Sequence, residues 1–424
     1  MQTKIERIQK DIEVLATFTS TVGEGVTRSS YSKEDQMAKE YLIEEMKQLN
    51  LHVYEDGFGT LFGRMEGTLQ NAPVVMFGSH YDSVVHAGAF DGVAGCAAGL
   101  EVMRVLKEEG FQPDYPLELI LMNAEEGATF GASTGVSNSR AMVGTMSEYE
   151  LKTVKNRFGQ TKMEAMADYG LVPDLKTAIR KPGSIKNFVE LHIEQGPVLD
   201  KEGMDIGLVQ YLAGIGRFII RFYGETADST AAMQERKDAL VAAAAFITQF
   251  DECMKMIGPE VAGMVGELHI TPNSNQFVPE YVEGKIEIRT FTKETVEQHN
   301  FKEIIGSLLN QVETEFHIRA ELEEITRINY ANPTGPSIMN QRNVERMAAI
   351  CDSLGYRHRI INNGTGHDSM IMTDFTDTNM IYVPSKGGLS HCPQEWTDYE
   401  AIRKGSDVLL QLIMDISKRK ESIL

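Results

Sequence analysis

The sequence has few of the features that define secreted or membrane-embedded proteins. Its four cysteines, Cys96, Cys253, Cys351 and Cys392, show neither CxxC spacing nor the density of a disulfide framework. No apolar run approaches the length of a membrane span, and residues 1–18 carry charges at helical spacing instead of the apolar stretch of a signal peptide. We therefore expect a cytoplasmic protein with reduced thiols and no membrane partner.

Basic residues are also scarce. Lys and Arg number 41 against 61 Asp and Glu, which gives a formal net charge of −20. Nucleic acid and an anionic membrane surface are both bound through a basic face, so the charge argues against either partner. The composition, with 42% hydrophobic and 24% charged residues, is otherwise that of a globular protein. A chain of 424 residues exceeds one ordinary core, so we expect two domains.

Helical and strand-like segments alternate in the first half of the chain. Residues 32–35, SKED, predict a capping box at the start of a helix. The pattern predicts strands 52–54, 61–65, 74–77, 117–122 and 187–193, and helices 36–50 and 93–109. Alternation of this kind is typical of an α/β fold with a mostly parallel sheet.

The pattern changes near residue 213. It predicts strands 216–223, 264–271, 282–292 and 317–325, and helices 233–256 and 293–313. This β-α-β-β-α-β order is typical of a compact antiparallel sheet with helices on one face. After the loop 331–337 the α/β pattern resumes with helix 343–354 and strand 379–384. We therefore predict one α/β domain, formed by 1–212 and 331–424, that is interrupted by a second domain, 213–330.

Acidic and histidine residues recur where the predicted parallel strands end. They are His80, Asp82, Asp91, Glu125, Glu126, His192 and His391. Taken singly, a histidine at a strand end is more often a hydrogen-bonded surface residue, and a Glu-Glu pair is more often a solvated loop. Ligand sites of parallel sheets lie outside the carboxyl ends of the strands, so recurrence there favours a site. Histidine and carboxylate ligands suit Zn²⁺, and a carboxylate shared by two ions would give a two-metal hydrolase.

Long motifs follow one another along nearly the whole chain. They are GSHYDSV and FDG, NAEEGATFGAS, VSNSRAMVG, VELHIEQGPVL and SHCPQEW. In order and spacing they resemble the amidase/hydantoinase/carbamoylase branch of the zinc aminoacylase-type metallopeptidases, which includes N-carbamoyl-L-amino-acid hydrolases and allantoate amidohydrolases. The resemblance implies an α/β fold: a mostly parallel-sheet, dinuclear-metal catalytic domain with an inserted α+β lid and dimerisation domain.

The resemblance also implies the ligands of two divalent metal ions per subunit. His80, Asp91 and His192 would hold one ion. Asp91, Glu126 and His391 would hold the second, so that Asp91 bridges the pair. Zn²⁺ is the expected metal, with Mn²⁺, Co²⁺ or Ni²⁺ as alternatives, because ligand type discriminates weakly among them.

Further roles follow by the same resemblance. Glu125 would be the general base, and Asp82 would orient His80 through its other ring nitrogen. Gln195 and His367 would contact the group that is hydrolysed. For His367 the plainer alternative is a loop histidine that is capped by its neighbour Asp368.

A carboxylate on the substrate would be bound from the second domain. Asn275, in TPNSNQFVPE, and Arg289, in KIEIRTF, match the family's positions for this role. A guanidinium is suited to bidentate carboxylate binding. In the family these residues reach the partner subunit's site, so a homodimer is implied. The plainer alternative for Arg289 is an ordinary surface ion pair.

The predicted activity is metal-dependent hydrolysis of a linear amide. A metal-activated water would cleave the non-peptide C–N bond of an N-carbamoyl or related N-substituted L-amino acid, a small carboxylate-bearing amide. The alternatives are an allantoate amidohydrolase, an N-acyl-amino-acid amidase or dipeptidase, and a weakly active or non-catalytic binding protein.

One family motif, an HAGTTPM-type turn whose histidine stabilises the oxyanion, is missing. Residues 223–240 read YGETADSTAAMQERKDAL, with Asp228 near the expected histidine. A carboxylate repels an oxyanion unless it is protonated, and loss of one donor costs about 3–4 kcal/mol. Another donor, such as Thr226, Ser229, His367 or a metal ion, could replace it. Otherwise the substrate carries a cationic group or catalysis is weak.

Overall fold

The computed structural model describes residues 1–131, 134–326 and 337–419, and they divide between two compact units. Unit 1 consists of Met1–Gln210, Ile338–Ile361 and the chain from His367 onward, and unit 2 of Tyr211–Ser337 and Asn362–Gly366. The predicted boundary at residue 330 and most of the predicted loop 331–337 lie outside the described residues. The domain roles assigned to 1–212, 213–330 and 331–424 stay predictions.

Helices and strands alternate in the first part of unit 1. In chain order they are α1 (Ile5–Thr17), α2 (Lys33–Gln48), β1 (His52–Glu55), β2 (Leu61–Met65), β3 (Val74–His80), α3 (Val93–Glu108), β4 (Leu117–Met122), α4 (Ser137–Met142), α5 (Glu148–Thr153), α6 (Lys162–Asp168), α7 (Leu175–Ala178), β5 (Ile185–Ile193), α8 (Val198–Glu202) and β6 (Ile206–Leu212). The short helices α4 to α8 were not predicted.

Longer strands and helices follow in unit 2. They are β7 (Gly214–Tyr223), β8 (Ala227–Asp228), α9 (Ala239–Ile257), β9 (Val261–Thr271), β10 (Phe277–Val278), β11 (Tyr281–Thr290), α10 (Lys293–Gln298), α11 (Phe301–Phe316) and β12 (Arg319–Thr326). The chain continues with β13 (Ser337–Ile338), α12 (Gln341–Leu354), β14 (His358–Asn363), α13 (Asp368–Met372), β15 (Asp377–Val383) and α14 (Tyr399–Ile416).

The large sheet has the strand order β1-β2-β4-β3-β5-β15-β6-β13, and β14 also pairs with β6. Its four central strands, β4, β3, β5 and β15, are parallel, whereas β1, β2 and β6 pair antiparallel. Every residue of β3 and β4 is buried, as expected for central parallel strands covered on both faces. Among the described helices, none combines the length and apolarity needed to cross a bilayer.

The separate sheet of unit 2 is antiparallel, in the order β12-β7-β11-β9. Alternate residues of its strands pack with α9 and α11 in one apolar core, which includes Ile220, Phe246, Ile286 and Leu309. The large, mostly parallel sheet and the separate antiparallel sheet confirm the predicted fold class.

Capping side chains set helix starts that the pattern predicted wrongly. The helix predicted over 233–256 begins at Ala239, because Asp238 accepts hydrogen bonds from Leu240 N and Val241 N. Met233–Glu235 instead form a turn of 3₁₀-helix. The helix predicted over 293–313 is two helices, and Asn300 caps the second.

Only half of the predicted capping box forms at α2. Ser32 Oγ accepts a hydrogen bond from Asp35 N at 3.2 Å, as predicted. In a full capping box the side chain of Asp35 would accept a hydrogen bond from Ser32 N. It accepts instead from the N–H of Tyr31, the residue before the cap, at 2.6 Å. It also accepts from Asn123 Nδ2 at 3.1 Å. Asp35 therefore connects the start of α2 to the loop after β4.

Candidate metal centre and active site

The carboxyl ends of the parallel strands carry most of the predicted site residues. His80 is the last residue of β3 and lies beside Met122 of β4. His192 lies one residue before the end of β5, beside Tyr382 of β15. Because these strands are parallel neighbours, the loops that follow them start at one edge of the sheet.

The first predicted ligand set is brought together and buried. The ligand atoms of His80, Asp91 and His192 all lie within 4.8 Å of one another. Asp91 Oδ1 is 3.1 Å from His192 Nε2 and 3.6 Å from His80 Nε2. Gly92 makes this approach possible, since a Cβ there would lie 2.4 Å from the His80 ring. Its φ of +65° also favours glycine.

The second predicted set uses the other oxygen of Asp91. Oδ2 of Asp91 lies 3.0 Å from His391 Nε2, which is 3.5 Å from Glu126 Oε2. The ligand atoms of these three residues also lie within 4.8 Å of one another. Asp91 therefore presents one carboxylate oxygen to each set, the arrangement that a bridging ligand requires.

Glu125 and Asp82 lie beside the first set. Glu125 Oε2 is 3.8 Å from His80 Nε2, and with Glu126 the three residues form a further group of potential ligands. Asp82 Oδ1 lies 3.4 Å from His80 Nδ1 and accepts from Glu125 N at 3.0 Å. Its Oδ2 accepts from Glu126 N at 3.2 Å. Asp82 thus connects the end of β3 to the two glutamates.

The donor set fits divalent metal ions. The Nε2 atoms of His80 and His192 face each other at 3.3 Å. Within the described residues, the buried Oε1 of Glu126 has no hydrogen-bond partner. Imidazole nitrogens and carboxylate oxygens are the ligands of Zn²⁺ and its first-row neighbours, and a cation would satisfy these facing atoms. Ligand roles for these residues stay predictions.

Burial and crowded charges shift the pKa values of the carboxyl groups. Burial raises the pKa of Glu125 well above its usual range. Burial and then the charge of Asp91 raise the pKa of Glu126 to about 8. Burial alone would raise the pKa of Asp91, but hydrogen bonds with His192 and His391 hold it well below its usual range. Asp91 is therefore the anionic centre of the cluster.

Of the predicted substrate-binding residues, Gln195 and His367 lie in unit 1. Gln195 Nε2 donates to Asp91 Oδ2 at 2.6 Å and lies 3.2 Å from His391 Nε2. The His367 ring is buried 4.4 Å from the ring of His192, and its Nε2 lies 2.8 Å from the hydroxyl of Tyr382. Burial lowers the pKa of His367 well below its usual range, so the ring is neutral at pH 7.

Asn275 and Arg289 lie in unit 2. Asn275 is exposed in the turn between β9 and β10. Arg289, on β11, donates through Nε and Nη2 to one oxygen of Glu287, at 2.9 and 2.7 Å. It also donates to the carbonyl of Gly364. The surface ion pair considered for Arg289 is thus present, and its role toward a substrate stays a prediction.

Asp228 is an exposed, ionised side chain in β8. Its Oδ1 accepts hydrogen bonds from Thr230 Oγ1 and Thr230 N, at 2.7 and 2.9 Å, and these lower its pKa. The protonated form that could donate to an oxyanion is therefore disfavoured. Thr226, one of the possible replacement donors, gives its hydroxyl hydrogen to Glu280 at 2.7 Å.

Sequence reasoning missed two further side chains at this edge. Glu395 bonds to the loops of both Asp91 and His391. Tyr382 bonds to His367. Glu395 lies within SHCPQEW, so the motif contained it, but its partner segment is remote in sequence. Tyr382 lies within an apolar strand, where a tyrosine carries no signal of a polar role.

Comparison with known proteins gives the family. The profile described as Peptidase family M20/M25/M40 matches residues 61–415. The N-carbamoyl-L-amino-acid amidohydrolase of Paenarthrobacter aurescens is 34% identical over 415 residues, covering 97% of this chain and 98% of that protein. The allantoate amidohydrolase of Bacillus subtilis (strain 168) is 31% identical over 410 residues, covering 96% of each. A crystal structure of an amidase of the hydantoinase/carbamoylase family from Burkholderia multivorans has a TM-score of 0.88 at 27% identity, covering 99% of each chain.

The chain belongs to the peptidase family M20/M25/M40. The predicted membership in its hydantoinase/carbamoylase branch is confirmed. The predicted enzyme class, a metal-dependent hydrolase of the amidohydrolase type, is confirmed with it.

Proposed function

We propose that the protein hydrolyses the carbamoyl C–N bond of an N-carbamoyl L-amino acid, releasing the amino acid, CO₂ and ammonia. The observation that carries the proposal is the carboxylate of Asp91, which offers one oxygen to each of two ligand sets. Glu125 lies beside the first set, with its Oε2 3.8 Å from His80 Nε2. The 34% identity to an N-carbamoyl-L-amino-acid amidohydrolase supports this choice of substrate.

Two divalent ions, Zn²⁺ in our proposal, would polarise the substrate carbonyl and lower the pKa of a water. His80, Asp91 and His192 would hold one, and Asp91, Glu126 and His391 the other. Glu125 would accept a proton from the attacking water and return it to the leaving nitrogen, because bound cations would oppose the effect of burial and favour its ionised form.

Two residues of unit 1 would position the scissile amide. Burial disfavours the charged form of His367, but the neutral ring still has one N–H that can donate to a developing oxyanion. The amide of Gln195, already at the edge of the ligand sets, would contact the carbamoyl group. In the family a lid histidine donates to the oxyanion, and this chain lacks that histidine. His367 is thus our candidate for the replacement donor.

Arg289 and Asn275 would bind the substrate carboxylate from the partner subunit of a homodimer. Arg289 already binds a carboxylate, that of Glu287, with two of its nitrogens. A substrate carboxylate would exchange for it or share the guanidinium. The free thiols of all four cysteines support a cytoplasmic location.

The test is steady-state hydrolysis of N-carbamoyl-, N-acyl- and dipeptide substrates and of allantoate, with added Zn²⁺ or Mn²⁺. Wild type should turn over N-carbamoyl L-amino acids only with metal, and Glu125→Gln should lose this activity. Glu400→Gln, which removes an exposed carboxylate of α14, is the matched control. Turnover of allantoate or of N-acyl substrates alone would replace the proposed substrate. A metal-loaded wild type without turnover in the panel would reject the proposal.

A further inference from the structure

A single carboxylate joins the two segments of unit 1 that carry Asp91 and His391. Oε1 of Glu395 accepts hydrogen bonds from the backbone N–H groups of Phe90 and Asp91, both at 3.0 Å. Its Oε2 accepts from Ser390 Oγ at 3.0 Å and from the N–H of His391 at 3.2 Å. One side chain therefore sets the backbone position of both residues.

The carboxylate is confined by its surroundings. Glu395 is 4% exposed. A Cβ added at Gly88 would lie 2.4 Å from its Cβ and 2.5 Å from its Oε1, so the loop before Asp91 passes directly against it. His391 adopts a φ of +57°, a strained conformation for a non-glycine residue that persists only where neighbouring contacts hold it. The N–H bond to Glu395 is such a contact.

The same arrangement gathers three acidic groups around His391. Glu395 and Asp91 are both buried acids joined through the hydroxyl of Ser390, which lies 2.9 Å from Asp91 Oδ2. Glu126 adds a third carboxyl group near His391. Buried like charges destabilise one another unless a positive charge compensates. His391 lies 3.0 Å from Asp91 Oδ2 and 3.5 Å from Glu126 Oε2, and a divalent cation between these groups would compensate their charge further.

We propose that Glu395 is the positioning residue of the second ligand set, Asp91, Glu126 and His391. The inference rests on the proposed function only in that this set takes a divalent cation. His80 and His192 are held by β3 and β5, whereas His391 follows its strand in a loop. Asp91 belongs to both sets, but the other two predicted ligands of the first ion, His80 and His192, do not contact Glu395 in this way. Disturbing Glu395 should therefore weaken binding of the second ion about 10- to 100-fold and binding of the first ion less.

Two variants disturb this contact in different ways. Glu395→Gln keeps the side-chain shape, but its amide nitrogen cannot accept hydrogen bonds, and its negative charge is lost. Gly88→Ala keeps the charge and every hydrogen-bonding group, yet displaces Glu395 sterically. If both variants weaken binding of the second ion, the position of Glu395 is the cause and not its charge alone, because Gly88→Ala keeps that charge. Glu101→Gln is the control, since Glu101 is a fully buried carboxylate of α3 that bonds to Lys4 N and Arg7.

The experiment is a calorimetric Zn²⁺ titration of the metal-stripped 424-residue chain, with bound metal counted by mass spectrometry. We expect two ions in wild type and in Glu101→Gln, and selective weakening of one ion in Glu395→Gln and Gly88→Ala. Melting of the metal-free variants identifies any that fail to fold, and either folded variant suffices for the test. Wild-type binding of both ions by the two variants, parallel loss of both ions, or a single ion in wild type would each overturn the proposal. Because no substrate is used, selective weakening supports the role of Glu395 even where the substrate panel shows no turnover.

Discussion

The Nε2 atoms of His80 and His192 lie 3.3 Å apart between two buried rings. Both nitrogens also lie near one oxygen of Asp91, at 3.6 and 3.1 Å. Two imidazole nitrogens and a carboxylate oxygen at these distances from one another leave room for one shared cation or proton.

Divalent metal ions should stabilise the fold. An ion that binds only the native state at about 100 times its Kd adds about 2.7 kcal/mol to the free energy of unfolding. Chelation should therefore lower the denaturation midpoint, and Zn²⁺ should restore it. His192→Ala should remove much of this response, whereas the exposed His52→Ala should keep it. Equal unfolding curves with and without metal would contradict the prediction.

Glu125 and Glu126 should respond differently to the same substitution. Glu125→Gln should lower kcat about 100- to 10,000-fold while both metal ions stay bound, because a general base is lost. Glu126→Gln should lose the second ion, because an amide is a weaker ligand than a carboxylate. Metal counting beside steady-state kinetics distinguishes the two. Loss of an ion in Glu125→Gln would instead make Glu125 a ligand, which its grouping with His80 and Glu126 allows.

Arg289→Ala should raise KM for a carboxylate-bearing substrate with a smaller change in kcat. Loss of a charged hydrogen-bonding partner costs about 1.5–3 kcal/mol, which is about 10- to 100-fold in KM. Arg217→Ala is the matched control, since Arg217 on β7 pairs with the other oxygen of the same Glu287 at 3.0 Å. If both variants change KM equally, Arg289 acts through Glu287 and the assigned role is wrong.

Asp35 should make stability fall as the pH rises. Burial raises its pKa from 3.8 to about 7, so the folded state holds a proton that the unfolded state has released. The free energy of unfolding then declines by up to about 1.4 kcal/mol per pH unit between about pH 4 and pH 7. Asp35→Asn removes this titration, so its stability relative to wild type should increase with pH across that window. Denaturant unfolding of both metal-free proteins at the two ends measures the difference, and a pH-independent difference would refute the prediction.

The sequence predicted much of the framework from local signals. Mostly apolar runs predicted β3 and β4, which are buried along their whole length. Alternation predicted β7, where buried and partly exposed residues alternate from Phe218 onward. The wrong helix starts came from capping: Asp238 and Asn300 satisfy backbone N–H groups and begin new helices inside segments that look continuously helical.

The residues of the candidate centre could be named from motifs, and the structure places six of them together, His80, Asp91, Glu125, Glu126, His192 and His391. Their roles stay predictions, because proximity does not distinguish a ligand from a base: His80, Glu125 and Glu126 are as close a group as either predicted set. An ordinary ion pair was predicted for Arg289 only as the plainer alternative, and the sequence analysis did not name its partner, Glu287.

The sequence by itself determined the element types, the family and the kinds of ligand atoms at the strand ends, because these depend on periodicity and on side-chain chemistry. Only the tertiary structure decided which oxygen of Asp91 faces which histidine, that Tyr382 pairs with His367, and that Glu395 joins the Asp91 and His391 loops. Such contacts connect segments that are remote along the chain, so they arise from strand order and loop path, which no local pattern encodes.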